Sequence, residues 1–193
     1  MSCTSASFCV TAGYYIFTSG YWQTLIEEWN GTSWSIATSP NTSTTQSNEL
    51  NSVSCTSASF CMAAGYYDGT YYQTLIEEWD GTSWSIATSP NTSTAQNNYL
   101  YGVSCVSASD CVAVGYYINT GSYDQTLIEQ YSGTSWSIVT SPNTSTAQNN
   151  YLSGVSCTSA SFCMATGYYV TSGYDQTLIE EWNGTAWSIV TSP

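Results

Sequence analysis

The residues best suited to chemistry in this sequence are carboxylates in pairs. They stand at Glu27-Glu28, Glu77-Glu78 and Glu180-Glu181, with Glu129-Gln130 in the corresponding third place. Two carboxylates facing a sugar hydrolyse glycosidic bonds, one as acid and the other as nucleophile or base. Neighbours on a β-strand point to opposite faces, so an adjacent pair does not make that geometry. The motif also returns in every repeat of the chain, where a catalytic pair would be needed once. No enzyme activity is expected. The glutamates read instead as framework groups accepting hydrogen bonds from Ser, Thr, Tyr or backbone. The alternative is a ring of Glu with carbonyl oxygens, which could hold calcium and relieve the negative charge. No other cofactor or metal is expected.

The remaining composition narrows the function. The chain has 193 residues with 13 Asp and Glu, no Lys or Arg and no His, a net charge of −13. Such a surface cannot neutralise phosphates, which excludes nucleic acid as a partner. Anionic lipid head groups are excluded on the same ground. No imidazole base, Schiff-base lysine, P-loop lysine or arginine clamp is available. No apolar run approaches 18 residues, so no membrane span is expected. The sequence opens on Met1-Ser2-Cys3 without a signal peptide, and the expectation is a piece of a longer exported protein.

Eight cysteines form four Cys-x5-Cys pairs: Cys3 and Cys9, Cys55 and Cys61, Cys105 and Cys111, Cys157 and Cys163. Zinc sites want tighter spacing and a second pair or His nearby. An even count at fixed spacing in a Ser/Thr/Asn-rich chain reads as disulfides and an oxidising compartment, extracellular or at the cell surface.

The elements that position these residues repeat. Cys3, Cys55, Cys105 and Cys157 are 52, 50 and 52 residues apart, and Trp34, Trp84, Trp136 and Trp187 are 50, 52 and 51 apart. One repeat domain over residues 1–193 follows, with units at about 1–40, 41–90, 91–142 and 143–193. The first unit lacks most of its first strand. Each unit reads as four short strands rich in aromatic and β-branched residues and bounded by Gly, Pro, Asn and Ser. In the second unit they are expected around Leu50–Thr56, Phe60–Tyr67, Gln73–Trp79 and Thr82–Thr88. Asn30-Gly31, Asp80-Gly81 and Asn183-Gly184 predict type I′ turns between the third and fourth strands. Trp84 and Ile86, like Trp34 and Ile36, are expected to share one packed face. Both faces of the third strand carry apolar residues, which suits a sheet packed between two other sheets.

Four-stranded antiparallel units of this length point to an all-β, β-propeller-like array of four blades. The units resemble kelch-type propeller blades in the glycine after the second strand (Gly13, Gly65, Gly115, Gly167) and the spaced aromatics that follow. They also resemble the near-identical blades of highly repetitive bacterial propellers. In place of the kelch double glycine stands Gly-Tyr-Tyr.

The copies differ most after Gly-Tyr-Tyr, where the segments read IFTSGYW, DGTYY, INTGSYD and VTSGYD. Length variation confined to one segment marks a loop. This loop brings Tyr21 and Trp22, then Asp68, Tyr71 and Tyr72, then Tyr123 and Asp124, then Tyr174 and Asp175. Aromatic rings beside carboxylates suit carbohydrate, the ring stacking on the sugar and the polar groups taking its hydroxyls. The same pattern also suits a plain amphipathic rim. The functional expectation is a non-enzymatic extracellular binding module, multivalent through its repeats and recognising carbohydrate. The alternative is the structural subunit of a self-assembling extracellular filament or coat. Self-association is expected in either case, by ring closure between two chains or head to tail, because an incomplete first unit leaves a strand edge unpaired.

Overall fold

The computed structural model describes residues 1–18 and 20–192. Every regular element among them is a strand. The first sheet runs β1 (Ser2–Ser5), β2 (Phe8–Ile16), β3 (Trp22–Trp29) and β4 (Trp34–Ala37). The second runs β5 (Asn48–Ser57), β6 (Phe60–Asp68), β7 (Tyr72–Trp79) and β8 (Trp84–Ala87). The third comprises β9 (Asn98–Ser107), β10 (Asp110–Ile118), β11 (Asp124–Tyr131) and β12 (Trp136–Val139). The fourth comprises β13 (Asn150–Ser159), β14 (Phe162–Thr171), β15 (Tyr174–Trp182) and β16 (Trp187–Ile189). Each sheet is an antiparallel meander in chain order. The first strands of successive sheets lie against each other, whereas the fourth strands pack chiefly on their own sheet. The sheets therefore fan out from β1, β5, β9 and β13 as propeller-like blades.

The core lies between blades. Leu75 and Trp84 of the second blade pack on Val10 and Ile26 of the first. Met62 and Ile76, on the opposite face of the same blade, pack on Leu100, Leu127 and Trp136 of the third. Val114 and Ile128 meet Leu152, Leu178 and Trp187 in the same way. This is why both faces of the third strand are apolar: a middle blade has no solvent face.

Two further contacts recur at each blade-to-blade joint. The backbone N–H of Cys55 donates to Ser2 Oγ at 2.9 Å, that of Cys105 to Ser54 Oγ at 2.9 Å, and that of Cys157 to Ser104 Oγ at 3.0 Å. A serine at the end of each fourth strand reaches forward to the next blade's glutamate. Ser39 Oγ donates to Glu77 at 2.9 Å, Ser89 to Glu129 at 2.9 Å and Ser141 to Glu180 at 3.0 Å.

Four disulfides join the expected cysteines, each linking residues that face each other across the first and second strands of its blade. They fit an oxidising environment. The glycine before Tyr-Tyr has a steric cause. Beside it the first strand bulges, and a Cβ on Gly65, Gly115 or Gly167 would lie 1.8 to 1.9 Å from a carbonyl oxygen of that strand. No side chain fits there.

Two sequence expectations are corrected. The turn between third and fourth strands is not type I′. Trp29 pairs with Trp34, leaving a four-residue loop in which only Gly31 has positive φ, at 93°. Asn30 Oδ1 accepts the N–H groups of Thr32 and Ser33 at 2.9 and 3.0 Å, and Asp80 does the same for Thr82 and Ser83. The Asx side chain stands in for a turn hydrogen bond and widens the loop. A two-residue turn with both central φ angles positive occurs at Ser172-Gly173 instead, joining β14 to β15. Nor does the isoleucine of the fourth strand pack beside its tryptophan: Ile36, Ile86, Ile138 and Ile189 are exposed. The blades diverge outward, so the outermost strand covers the neighbouring blade only with Trp.

Candidate functional site

Each blade has two ends of different character. One carries the disulfide, the turn between first and second strands, and the Asx loop. The other carries the start of the first strand, the end of the second and the variable loop. Pairing in the second blade sets Asn48 opposite Tyr67, Glu49 opposite Tyr66, and Asp68 opposite Tyr72.

At this second end the tyrosines of three blades merge into a belt. Tyr66 lies edge-on to Tyr72 and Tyr99, and Tyr99 packs on Tyr116 with centroids 4.9 Å apart. Tyr116 stacks on Tyr101 at 5.7 Å and meets Tyr151 edge-on at 4.8 Å. Tyr151 stacks on Tyr168 at 4.5 Å. In the first blade Tyr14 stacks on Trp22 at 5.0 Å. Edge-to-face and offset contacts of this kind add about 0.5–1.5 kcal/mol each beyond burial.

Carboxylates terminate the belt. Tyr66 Oη donates to Glu49 at 2.9 Å, and Tyr151 Oη donates to Asp124. Burial, then the bond to Tyr66, act oppositely on Glu49, and burial wins: its carboxyl is held above the usual range. Burial also pushes the phenols of Tyr66, Tyr99, Tyr116 and Tyr151 well up. They remain hydroxyls able to donate. Between the third and fourth blades the belt opens into a cavity of about 210 Å³, lined by Tyr101, Tyr116, Tyr151, Leu152, Ser153 and Tyr168. Four of its lining residues are tyrosines, Tyr151 Oη already donating to Asp124 and Ser153 Oγ to the Thr166 carbonyl.

The residues singled out in the sequence divide between two places. Tyr72 and Asp124 enter the belt, Asp68 lies beside Tyr72, and Trp22 is in the Tyr14 stack. Tyr21, Tyr71, Tyr123 and Tyr174 lie exposed on the loop tips, with Asp175 exposed next to Tyr174. The loops do not bring the tips together into one pocket. Sequence reasoning missed Tyr66, Tyr99, Tyr101, Tyr116, Tyr151 and Tyr168, which stand on strands. One signal was present. The first strands differ among copies at Glu49, Tyr99 and Tyr151, and again at Asn51, Tyr101 and Ser153.

The paired carboxylates form no acid pair. Glu77, Glu129 and Glu180 are fully buried at three separate joints, and each meets a serine of the preceding blade. Burial pushes each carboxyl up to about 8, against the opposing serine hydrogen bond. Glu28 points to the opposite face and accepts from Trp84 Nε1 at 3.1 Å. Among the described residues no three of His, Cys, Asp and Glu gather as a metal-ligand group. Glu77, Glu129 and Glu180 thus stand apart, each at its own joint.

No protein-family model and no curated protein matches the chain. Among solved structures the chain is similar to one described as YCF48 bound to D1 peptide, at 12% identity and a TM-score of 0.36. The alignment covers 98% of this chain and 67% of that one.

Proposed function

We propose that this protein is a non-enzymatic extracellular binding module that recognises neutral carbohydrate at its tyrosine-rich rim. One observation carries the reading: a cavity lined by Tyr101, Tyr116, Tyr151 and Tyr168 together with Leu152 and Ser153 opens on that rim. Flat aromatic walls stack on the apolar face of a sugar ring, and hydroxyls pair with its hydroxyls. The charge selects the class of glycan. Thirteen carboxylates with no side-chain cation repel sialylated or sulfated chains and tolerate neutral ones. The exposed loop-tip tyrosines Tyr21, Tyr71, Tyr123 and Tyr174 extend the surface for longer or multivalent ligands.

Tyr101→Ser is the informative variant, because the fourth blade already carries Ser153 at that position and the fold accommodates it. Binding to neutral glycans on an array should fall at least about tenfold, with the melting temperature little changed. An array uniformly blank for the wild-type chain would overturn the proposal.

A second reading, the structural subunit of a self-assembling filament or coat, draws on the two ends of the blade stack. Trp34 of the first blade is 42% exposed, where its counterpart Trp84 is 6% exposed. Phe162 of the fourth blade is 41% exposed, where Phe60 is 7% exposed. Light scattering over a concentration series tests it, and a strictly monomeric particle throughout would exclude it.

A further inference from the structure

Beside the Asx loop, at the blade end remote from the tyrosines, neighbouring blades enclose a second kind of cavity. Between the first and second blades it measures about 390 Å³. Trp79, Thr82, Ser83 and Trp84 line it from the second blade, and Glu28, Ala37 and Thr38 from the first. Between the third and fourth blades the same cavity returns at about 290 Å³, lined by Trp182, Thr185, Ala186 and Trp187 with Val139 and Thr140. Both are of a size that takes a small ligand.

Each cavity holds a fixed pair of tryptophans. Trp79 pairs with Trp84 across the hairpin, with centroids 5.8 Å apart, and Trp182 with Trp187 at 5.9 Å. Trp79 Nε1 donates to the Ala58 carbonyl at 3.0 Å and Trp182 Nε1 to the Ala160 carbonyl at 3.0 Å, which sets the outer ring of each pair. The charge differs between the joints. At the first joint Glu28 lies in the cavity wall, and Trp84 Nε1 donates to its Oε1 at 3.1 Å. At the third joint the corresponding residue is Gln130, and the buried Trp187 Nε1 has no hydrogen-bond partner among the described residues. At the second joint Glu78 is kept, but Tyr131 replaces the outer tryptophan. Of the three joints, the first alone combines a tryptophan pair with a carboxylate.

We propose that the cavity at the first joint binds a small quaternary ammonium cation of the choline type, held against Trp79 and Trp84 with Glu28 as its counter-charge. The face of an indole ring is negative and attracts a cation, the more strongly as water is excluded. A quaternary ammonium has no N–H to satisfy, and its methyl groups suit the apolar part of the wall. A primary ammonium brings three donors that each need an acceptor, and Trp84 already engages one oxygen of Glu28. That indole bond positions the carboxylate without neutralising it. No side-chain cation exists in the sequence to compete for Glu28, and a net charge of −13 draws cations to the surface. The same field opposes ligands that carry an anion beside the ammonium, such as phosphocholine. The repeated hairpin supplies the tryptophans, and the departure from the repeat, Glu28 against Gln130, selects the joint. The site lies apart from the tyrosine rim and does not depend on the glycan reading.

Titration calorimetry with choline chloride at low ionic strength tests the proposal, beside the neutral analogue in which carbon replaces the nitrogen. The wild-type chain should bind choline at a single site and the neutral analogue at least about tenfold more weakly. Phosphatidylcholine vesicles form the second arm. A chain that binds free choline and leaves the vesicles unbound takes the free cation, as proposed, whereas one that binds the vesicles and not free choline would overturn the proposal. The variants copy residues that other blades already carry. Glu28→Gln reproduces Gln130 and should lower affinity at least about tenfold, with the melting temperature little changed. Gln130→Glu gives the third joint the carboxylate of the first. It should add a second choline site, seen as a higher stoichiometry and as choline-dependent NMR shifts at Trp182 and Trp187. No choline binding by the folded wild-type chain, equal binding of the neutral analogue, or a Glu28→Gln variant that binds as wild type would overturn the site and leave the glycan reading standing.

Discussion

The two ends of each blade are made from the same strands, yet one end repeats throughout, whereas at the other a frame of Asn and Gln hydrogen bonds repeats and the tyrosines do not. At the disulfide end, Cys55–Cys61, the Ser57–Ser59 hydroxyl pair and the Asx loop at Asp80 recur in the other blades with small changes. Trp79 Nε1 donates to the Ala58 carbonyl at 3.0 Å and ties the two turns together, as Trp29 and Trp182 do in their blades. All of these contacts are local. Each blade can form this end by itself, so one solution serves four times. At the tyrosine end the contacts cross between blades, as from Tyr66 to Tyr99 and from Tyr116 to Tyr151, and no two junctions are alike. Repetition marks what holds the blade. Divergence marks where the blades combine into a surface.

The comparison can be broken at several strengths. Reducing the four disulfides should have the largest effect. Each closes a short loop, for about 2 kcal/mol, so together they should lower the melting temperature by on the order of 20 °C. An unchanged calorimetric transition on adding reductant would show that the disulfide end does not hold the blades.

The buried glutamates come next. Their folded values lie above the unfolded value of 4.5, so the folded chain holds extra protons. The stability they contribute is fully present below about 4.5 and is lost as pH rises through about 8, several kcal/mol in total. Denaturant midpoints measured from pH 4 to 9 should therefore fall with pH. Replacing Glu77, Glu129 and Glu180 together by Gln should flatten that slope. A midpoint that rises with pH would contradict the buried, protonated state.

A smaller effect is expected from Trp79→Tyr. It removes one indole hydrogen bond from the disulfide end and costs about 1 kcal/mol. The third blade already carries Tyr131 there and folds without that bond. The smallest should be Tyr174→Ser on a loop tip 73% exposed, within about 0.5 kcal/mol in chemical denaturation. A large loss there would mean that the tip is part of the core.

The local end was legible in the sequence. Cys-x5-Cys, the alternating third strand and the breaks at Pro40, Pro90 and Pro142 each speak within a dozen residues. The turn between third and fourth strands was misread, because Asn-Gly alone does not reveal that Asn30 bonds Thr32 and Ser33 and widens the loop. The partners of the glutamates were legible only as a type: a hydroxyl. That Ser39 meets Glu77, 38 residues on, depends on how one blade lies against the next. The belt was least legible. Tyr66 and Tyr116 look like ordinary strand residues in Gly-Tyr-Tyr, and only blade packing brings them to Tyr99 and Tyr151. The variable loop drew attention instead, and it supplies the belt only with Tyr72 and Asp124.

The central claim is that the divergent end is the binding surface and the repeated end its scaffold. Titrating the isotope-labelled chain with neutral oligosaccharides and mapping the shifted NMR resonances tests it most directly. Shifts should concentrate on Tyr101, Tyr116, Tyr151, Ser153 and Tyr168 and leave the residues around Cys105–Cys111 and Ser132–Ser135 unmoved. Shifts centred on the disulfide end, or none with any neutral glycan tried, would contradict it.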